Sequence, residues 1–226
     1  VIFLPSLRTS LYGNPNVGAF IFATDNFALV PPDSPQKFIS EVSNTLKVPV
    51  YKTTICNSVL LGIFIVGNSN GILVPYNAKE EEISFIKEVV DLPVFQYNGK
   101  ENALGNMILL NDKKAIVGPK TSEELKSILS NELKVEVFEL SIAGISLPGV
   151  CAVINSKAIL CHPHIMEEEK SKLEKIFNKS VYPSTVNRGF PYLRIGMVAN
   201  SYGVVVGDMT TGPEIAHIEA SLGVTE

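Results

Sequence analysis

Val17-Gly18-Ala19-Phe20-Ile21-Phe22 has four further versions in the same chain. They are Leu61-Gly62-Ile63-Phe64-Ile65-Val66, Leu104-Gly105-Asn106-Met107-Ile108-Leu109, Pro148-Gly149-Val150-Cys151-Ala152-Val153 and Leu193-Arg194-Ile195-Gly196-Met197-Val198. The shared glycines stand at 18, 62, 105 and 149, a spacing of about 44, and the next step falls on Arg194. A fixed period of this size marks a chain built from one repeated supersecondary unit.

The rest of each unit follows the same register. A turn stands six residues beyond the glycine position, at Thr24-Asp25, Asn68-Ser69, Asn111-Asp112, Asn155-Ser156 and Asn200-Ser201. Short polar side chains favour turns because they bond the local backbone. Second apolar runs follow: Ala28-Leu29-Val30, Ile72-Leu73-Val74, Ala115-Ile116-Val117, Ala158-Ile159-Leu160 and Val204-Val205-Val206. Two apolar runs around a turn predict a hairpin, with the glycine-bearing run as its first strand. Pro31, Pro75, Pro119 and Pro163 mark the strand ends, since proline cannot donate to the ladder.

Helix-period segments come next: Phe38, Ile39, Val42 and Leu46; Ile83, Ile86 and Val90; Leu125, Ile128, Leu129 and Leu133; Leu173, Ile176 and Phe177; Ile215, Ile218 and Leu222. Four units then close with an extended stretch, at Val48–Tyr51, Leu92–Phe95, Val135–Phe138 and Val181-Tyr182. The fifth unit has none before Glu226, and one unpaired strand remains within residues 1–12, at Leu7 to Leu11. The N-terminal strand is therefore expected to complete the last unit and close a ring, which removes open sheet edges. The expected domain is one closed α/β propeller over residues 1–226. Its strand–strand–helix–strand units cover roughly 13–56, 57–100, 101–143, 144–188 and 189–226, the last completed from 1–12.

Composition bounds the function. The chain has 226 residues, 46% hydrophobic and 19% charged, which excludes a disordered protein. Nineteen basic against twenty-three acidic side chains leave a formal charge of -4, which argues against broad nucleic-acid neutralisation. Three cysteines make no disulfide framework and point to a reducing compartment. No apolar run approaches the roughly 20 residues of a membrane helix, and Val1 to Leu4 is too short for a signal peptide. The expected setting is the cytoplasm, with no membrane contact.

Four stretches carry a family resemblance: Ala103-Leu104-Gly105-Asn106, Leu133-Lys134-Val135-Glu136-Val137-Phe138, Thr185-Val186-Asn187-Arg188-Gly189 and Asp208-Met209-Thr210-Thr211-Gly212-Pro213-Glu214. Each stands in the expected repeat. With the five-fold ring they resemble the translation initiation factor 6 family, of the pentein fold, over roughly residues 7–223. The short end after Leu222-Gly223 resembles archaeal members, which lack the eukaryotic tail. The resemblance implies a monomeric, non-enzymatic protein that binds the intersubunit face of the large ribosomal subunit. Its implied main contact is the universal large-subunit ribosomal protein fourteen, near the sarcin–ricin loop, with little direct rRNA contact. It implies that subunit joining is blocked and that the protein acts in large-subunit maturation. No cofactor or metal is implied.

The expected ribosome-binding patch comprises Asn106, Gly105, Asn187, Arg188, Gly189, Asn57, Asn102 and Ile63. Asn106 stands where the other units carry Ala19, Ile63, Val150 and Ile195, so it is either a contact or a loop residue bonding its own backbone. Arg188, within a turn pair, can offer a guanidinium fork, or can lie in an ordinary solvated turn. Cys56-Asn57-Ser58 and Glu101-Asn102 join the patch if their loops share its face. Thr210 or Thr211 is read as a helix cap, with Pro213 and Glu214 in the first turn. The acidic runs Glu80-Glu81-Glu82 and Glu167-Glu168-Glu169 are read as solvated helix starts.

The rival reading is a pentein enzyme acting on guanidino groups through a channel cysteine and histidine. Cys161-His162-Pro163-His164 is the string that would serve it. The repeat places Cys161 level with Val30, Val74 and Val117, which predicts a buried core residue. Three ligands in four residues cannot converge on one metal. Gly203 and Gly207 lie on a hairpin, so no phosphate loop is expected. His217 is expected to face outward.

Overall fold

The structure is a computed structural model that describes residues 5–224. The glycine-bearing runs do not start as strands. Each opens with one helical turn: α1 (Val17–Phe20), α3 (Leu61–Phe64), α5 (Leu104–Met107), α7 (Pro148–Cys151) and α9 (Leu193–Gly196). The strand follows: β2 (Phe22–Ala23), β5 (Val66–Asn68), β8 (Leu109–Leu110), β11 (Ala152–Ile154) and β14 (Met197–Ala199). A six-residue apolar run suits either state, and close packing decides for the helix. A Cβ at Gly62 would lie 1.9 Å from the Gly18 carbonyl oxygen, one at Gly105 2.1 Å from that of Gly62, and one at Gly149 2.4 Å from that of Gly105. A Cβ at Gly18 would lie 2.1 Å from the Arg194 carbonyl oxygen. The missing side chains let five helical turns pack side by side around one axis.

The remaining elements follow the predicted order. Middle strands are β3 (Ala28–Val30), β6 (Gly71–Pro75), β9 (Lys114–Val117), β12 (Ala158–Cys161) and β15 (Val204–Gly207). Outer helices are α2 (Gln36–Leu46), α4 (Glu80–Val90), α6 (Glu123–Glu132), α8 (Glu167–Phe177) and α10 (Gly212–Leu222). Closing strands are β4 (Val50–Lys52), β7 (Val94–Tyr97), β10 (Glu136–Glu139) and β13 (Ser180–Pro183). In every sheet the inner strand is antiparallel to the middle one, and the closing strand is parallel to it. The fifth sheet is closed by β1 (Ser6–Thr9), which pairs parallel with β15 from Ser6–Val204 to Thr9–Gly207. The ring thus closes as expected, with the strand starting one residue earlier than Leu7. Residues 1–4 of the segment assigned to closure lie outside the described residues.

No unit buries a core alone. Phe22, Phe27, Leu29 and Ile55 of the first unit pack with Leu61, Ile72 and Ile86 of the second. Val66 and Leu73 of the second join Leu104, Leu125 and Leu129 of the third. The same overlap links the third to the fourth, the fourth to the fifth, and the fifth, through Val205, back to the first. Middle strands are therefore covered on both sides, which is why they are uniformly apolar in sequence.

Inner and middle strands join at one flat side of the ring, at residues 24–27, 68–71, 111–114, 155–158 and 200–203. This is the turn face. Closing strands run back to the opposite side, where the chain enters the axial helices. Four of these entries are tight hairpins, bridged at Leu11–Asn14, Ile55–Ser58, Ile142–Ile145 and Val186–Phe190. This is the hairpin face.

Candidate functional site

Every residue of the expected patch belongs to the hairpin face. Asn57 sits at a hairpin tip with Cys56, both at positive φ (55° and 57°). Asn187 and Arg188 form the equivalent tip (52° and 64°), with Gly189 following at 94°. Two successive left-handed residues define the tight turn whose twist matches a hairpin. Asn and Gly accept it readily, but Cys56 and Arg188 need outside help.

That help comes from carboxylates, buried in Glu82 and Glu169 and half-buried in Glu214. Glu82 accepts the backbone N–H groups of Cys56 (2.8 Å), Asn57 (3.0 Å) and Lys79 (3.0 Å), and the Thr54 hydroxyl (2.6 Å). Glu169 accepts those of Ala143 (2.7 Å), Gly144 (3.1 Å) and Met166 (3.1 Å). Glu214 accepts those of Arg188 (3.1 Å), Gly189 (2.9 Å) and Thr211 (2.8 Å), and the Thr185 hydroxyl (2.8 Å). Each carboxylate closes a capping box on its own helix and grips a hairpin at the same time. Against expectation, the acidic runs are only partly solvated. Glu80, Glu81, Glu167 and Glu168 are exposed, but the third glutamate of each run turns inward. The signal lay in the repeat: Glu82, Glu169 and Glu214 recur in register with the ring glycines. Burial pushes the Glu214 carboxyl up, and its hydrogen bonds outweigh this and hold it at about 2. Glu82 shows the same contest, with its carboxyl also held below the ordinary range.

Units one and three lack this glutamate, having Phe38 and Leu125 at that helix position. Tyr12 there donates its hydroxyl to Asp33, and Tyr97 donates to Glu101. Glu101 also accepts the Ser122 N–H at 3.1 Å.

The patch residues differ in what their side chains do. Asn187 is engaged internally: its Nδ2 donates to the Pro15 carbonyl (3.0 Å), and its Oδ1 accepts from the Thr210 hydroxyl (3.1 Å). Its amide joins the last unit to the first. Thr211 caps α10, as expected, and Thr210 serves Asn187. Gly105 belongs to the axial ring. Asn57, Asn102 and Arg188 are exposed, and the Arg188 guanidinium makes no ion pair among the described residues. Ile63 and Asn106 are half-buried on adjacent axial turns, α3 and α5. The Asn106 Oδ1 is buried and accepts no hydrogen bond. The fold therefore gives this oxygen no internal partner among the described residues, at a position where the other units carry apolar side chains. Sequence periodicity did not reveal the exposed Tyr12, Leu147, Tyr192 and Met209 on the same side. Tyr12 stacks edge-on against Phe20 (5.3 Å), and Tyr192 against Phe190 (5.5 Å). Rigid tyrosines with one wet edge suit a protein contact.

The enzyme-like string is placed differently. Cys161 is buried, as expected, with Cys151 beside it in the same core. Burial pushes both thiols up to about 12, and Cys56 to about 11, so none offers a thiolate at neutral pH. His162 is buried and its N–H bonds the Cys151 carbonyl (2.8 Å). Burial and the neighbouring His164 both push its imidazole down. His217 is exposed, with Nε2 at 2.9 Å from the Pro183 carbonyl oxygen. No group of three His, Cys, Asp or Glu side chains among the described residues could hold a metal. No helix among them is long and apolar enough to cross a membrane.

Comparison with known proteins agrees with the ring. The fold is shared with ArgZ, an arginine dihydrolase from the ornithine-ammonia cycle in cyanobacteria. That apo structure superimposes with a TM-score of 0.57 at 14% identity, over 88% of this chain and 34% of ArgZ. The relation is therefore one of pentein-type architecture. In sequence, translation initiation factor 6 of Staphylothermus marinus is 36% identical over 219 residues, 96% of each chain. That of Pyrobaculum aerophilum is 38% identical over 213 residues, covering 94% of this chain and 96% of the relative. Residues 6–221 match the eIF-6 family, and the chain belongs to that family, in its archaeal form.

Proposed function

We propose that this translation factor binds the large ribosomal subunit through its hairpin face and so prevents the small subunit from joining. Asn106 carries the reading: an asparagine with a buried, unpartnered carbonyl, set in a ring of apolar equivalents at the centre of that face. Such a group costs free energy in the isolated protein, on the order of 1–3 kcal/mol. A partner that turns the side chain outward and supplies a donor recovers it. Arg188, Asn57 and Asn102 surround this centre as exposed polar groups, and Ile63 lies beside it. The exposed tyrosines and the net charge of -4 favour a protein contact over a broad rRNA contact. The family resemblance suggests the universal large-subunit ribosomal protein fourteen, near the sarcin–ricin loop, as that partner, and a further part in subunit maturation. The protein acts in the cytoplasm, as a monomer, without cofactor.

No catalysis belongs to this proposal. The guanidino-enzyme alternative needs a thiolate, and the three thiols are pushed well above neutrality. Replacing all three cysteines with alanine is expected to leave ribosome binding intact. The direct test is co-sedimentation with archaeal ribosomal subunits on a sucrose gradient at magnesium concentrations that permit joining. Migration with large subunits alone, with a reduced joined-ribosome peak, is the expected result. Protein remaining at the top of the gradient, with normal joining, overturns the reading.

A further inference from the structure

The fifth position of the axial ring breaks the glycine pattern with Arg194. Its backbone takes the ring place, next to Gly18, and its side chain crosses to the second unit. Nε donates to the Gly62 carbonyl at 3.3 Å, and an Nη donates to the Ile65 carbonyl at 3.4 Å. Both bonds are long. A guanidinium has five N–H donors, so three have no bond of this kind. No carboxylate among the described residues pairs with Arg194. Burial alone pushes the group down, to about 10, and leaves it charged at neutral pH.

Arg194 lines a cavity of about 80 Å3 on the ring axis. The walls are the inner strands of all five units, including Ile21, Val66, Ile108, Val153 and Met197. Five equivalent residues, Ala23, Gly67, Leu110, Ile154 and Ala199, line both this cavity and a basin of about 500 Å3 in the turn face. The charged groups at that mouth are Asp25, Asp112, Lys113 and Lys179. Asp25 accepts from Ser201, Asp112 from Ser69, and Lys179 donates to the Ser156 carbonyl.

We propose that the axial cavity is a binding site for one small monovalent inorganic anion, of the size of chloride or nitrate, held by the Arg194 guanidinium. A cation half-buried in the cavity, without a counter-ion, is costly, and water can satisfy its donors but not its charge. One monovalent anion neutralises it. A divalent anion would leave a net charge in the cavity. Roughly 10–15 Å3 of free volume suffices for one water, so the cavity has room for the anion and a few waters.

Chlorine-35 NMR on the whole protein tests this without ribosomes, so it stands apart from the functional reading. At fixed ionic strength, the protein is expected to broaden the chloride line, and nitrate to reverse at least four-fifths of that excess. Sulfate is expected to reverse little. Arg194→Met is expected to lose the broadening. Persistence of the full broadening in folded Arg194→Met overturns the site. If that variant does not fold, crystals of the unaltered protein grown in bromide decide. An anomalous peak on the axis within reach of the guanidinium supports the proposal, and an axis without one overturns it. A bromide peak with no chloride broadening in solution means binding at crystal concentration only, and also overturns it.

Discussion

The two flat faces use polar side chains in opposite ways. On the turn face, asparagines are spent on closing the ring. The Asn68 Nδ2 donates to the Leu133 carbonyl (2.9 Å), that of Asn155 to Leu222 (3.0 Å), and that of Asn200 to Leu46 (2.8 Å). Each bond caps the last turn of the next unit's helix and crosses a unit boundary, and all three asparagines are buried. On the hairpin face, each capping glutamate grips the hairpin packed against its own helix. The side chains at the tips are left pointing outward, as with Asn57 and Arg188, and Asn106 stays unpartnered. The turn face therefore maintains the assembly, and the hairpin face, apart from the Asn187 amide that joins the last unit to the first, holds a rigid backbone beneath uncommitted side chains. Preorganised backbone with free side chains is what a docking surface requires.

The largest expected effect tests the axis that both faces share. Gly105→Val would drive side-chain atoms into the Gly62 carbonyl, 2.1 Å from the first added carbon. A loss of more than about 4 kcal/mol is expected, read by denaturant unfolding. A folded variant of ordinary stability would contradict the ring packing. Next comes Asn200→Ala, which strips donors from the Leu46 and Thr24 carbonyls and the acceptor from the Tyr202 and Gly203 N–H groups. About 2–3 kcal/mol of stability should be lost, with affinity for the large subunit unchanged. A comparable drop in affinity would mean that the turn face also binds.

The double change Asn106→Ala with Arg188→Glu makes the opposite prediction. Affinity for the large subunit should fall about thirtyfold, roughly 2 kcal/mol, while stability is not reduced, since the change also removes the unpartnered Asn106 oxygen. Unaltered sedimentation with large subunits would exclude this face as the docking surface. The smallest effect is the acid response of the hairpin clamps. The Glu214 and Glu82 carboxyls are depressed in the folded state, so their contribution is complete above the ordinary carboxylate value near 4.5. It declines as pH falls from there towards the folded value of about 2 for Glu214. After allowance for solvent screening, about 1–2 kcal/mol should disappear over that window for Glu214. Glu214→Gln should flatten the response, and an unchanged acid transition would show that the clamp contributes nothing.

Much of the ring was legible because its period is carried by residues with strong local meaning. The turn asparagines, the proline strand ends and the helix faces kept one spacing, and they also located the unpaired N-terminal strand. The glycine-bearing runs were misread as strands at their first turns. An apolar hexapeptide has no periodicity that separates one helical turn from a strand, and the deciding contact comes from the neighbouring unit. Glu82 and Glu169 looked solvated because helix starts favour acidic residues whether or not they turn inward. Asn187 matched the expected patch in sequence, yet its amide is consumed by Pro15 and Thr210, 172 and 23 residues away.

The repeat, the strand and helix order and the family are written along the chain, because these depend on local pattern and on residue identity. Which side chains are free follows from how the units pack. That packing placed the patch residues on one face, took Asn187 out of use, left Asn106 without a partner and put Arg194 on the axis. Those outcomes depend on atoms from other units arriving within hydrogen-bond distance, and no local pattern encodes that arrival.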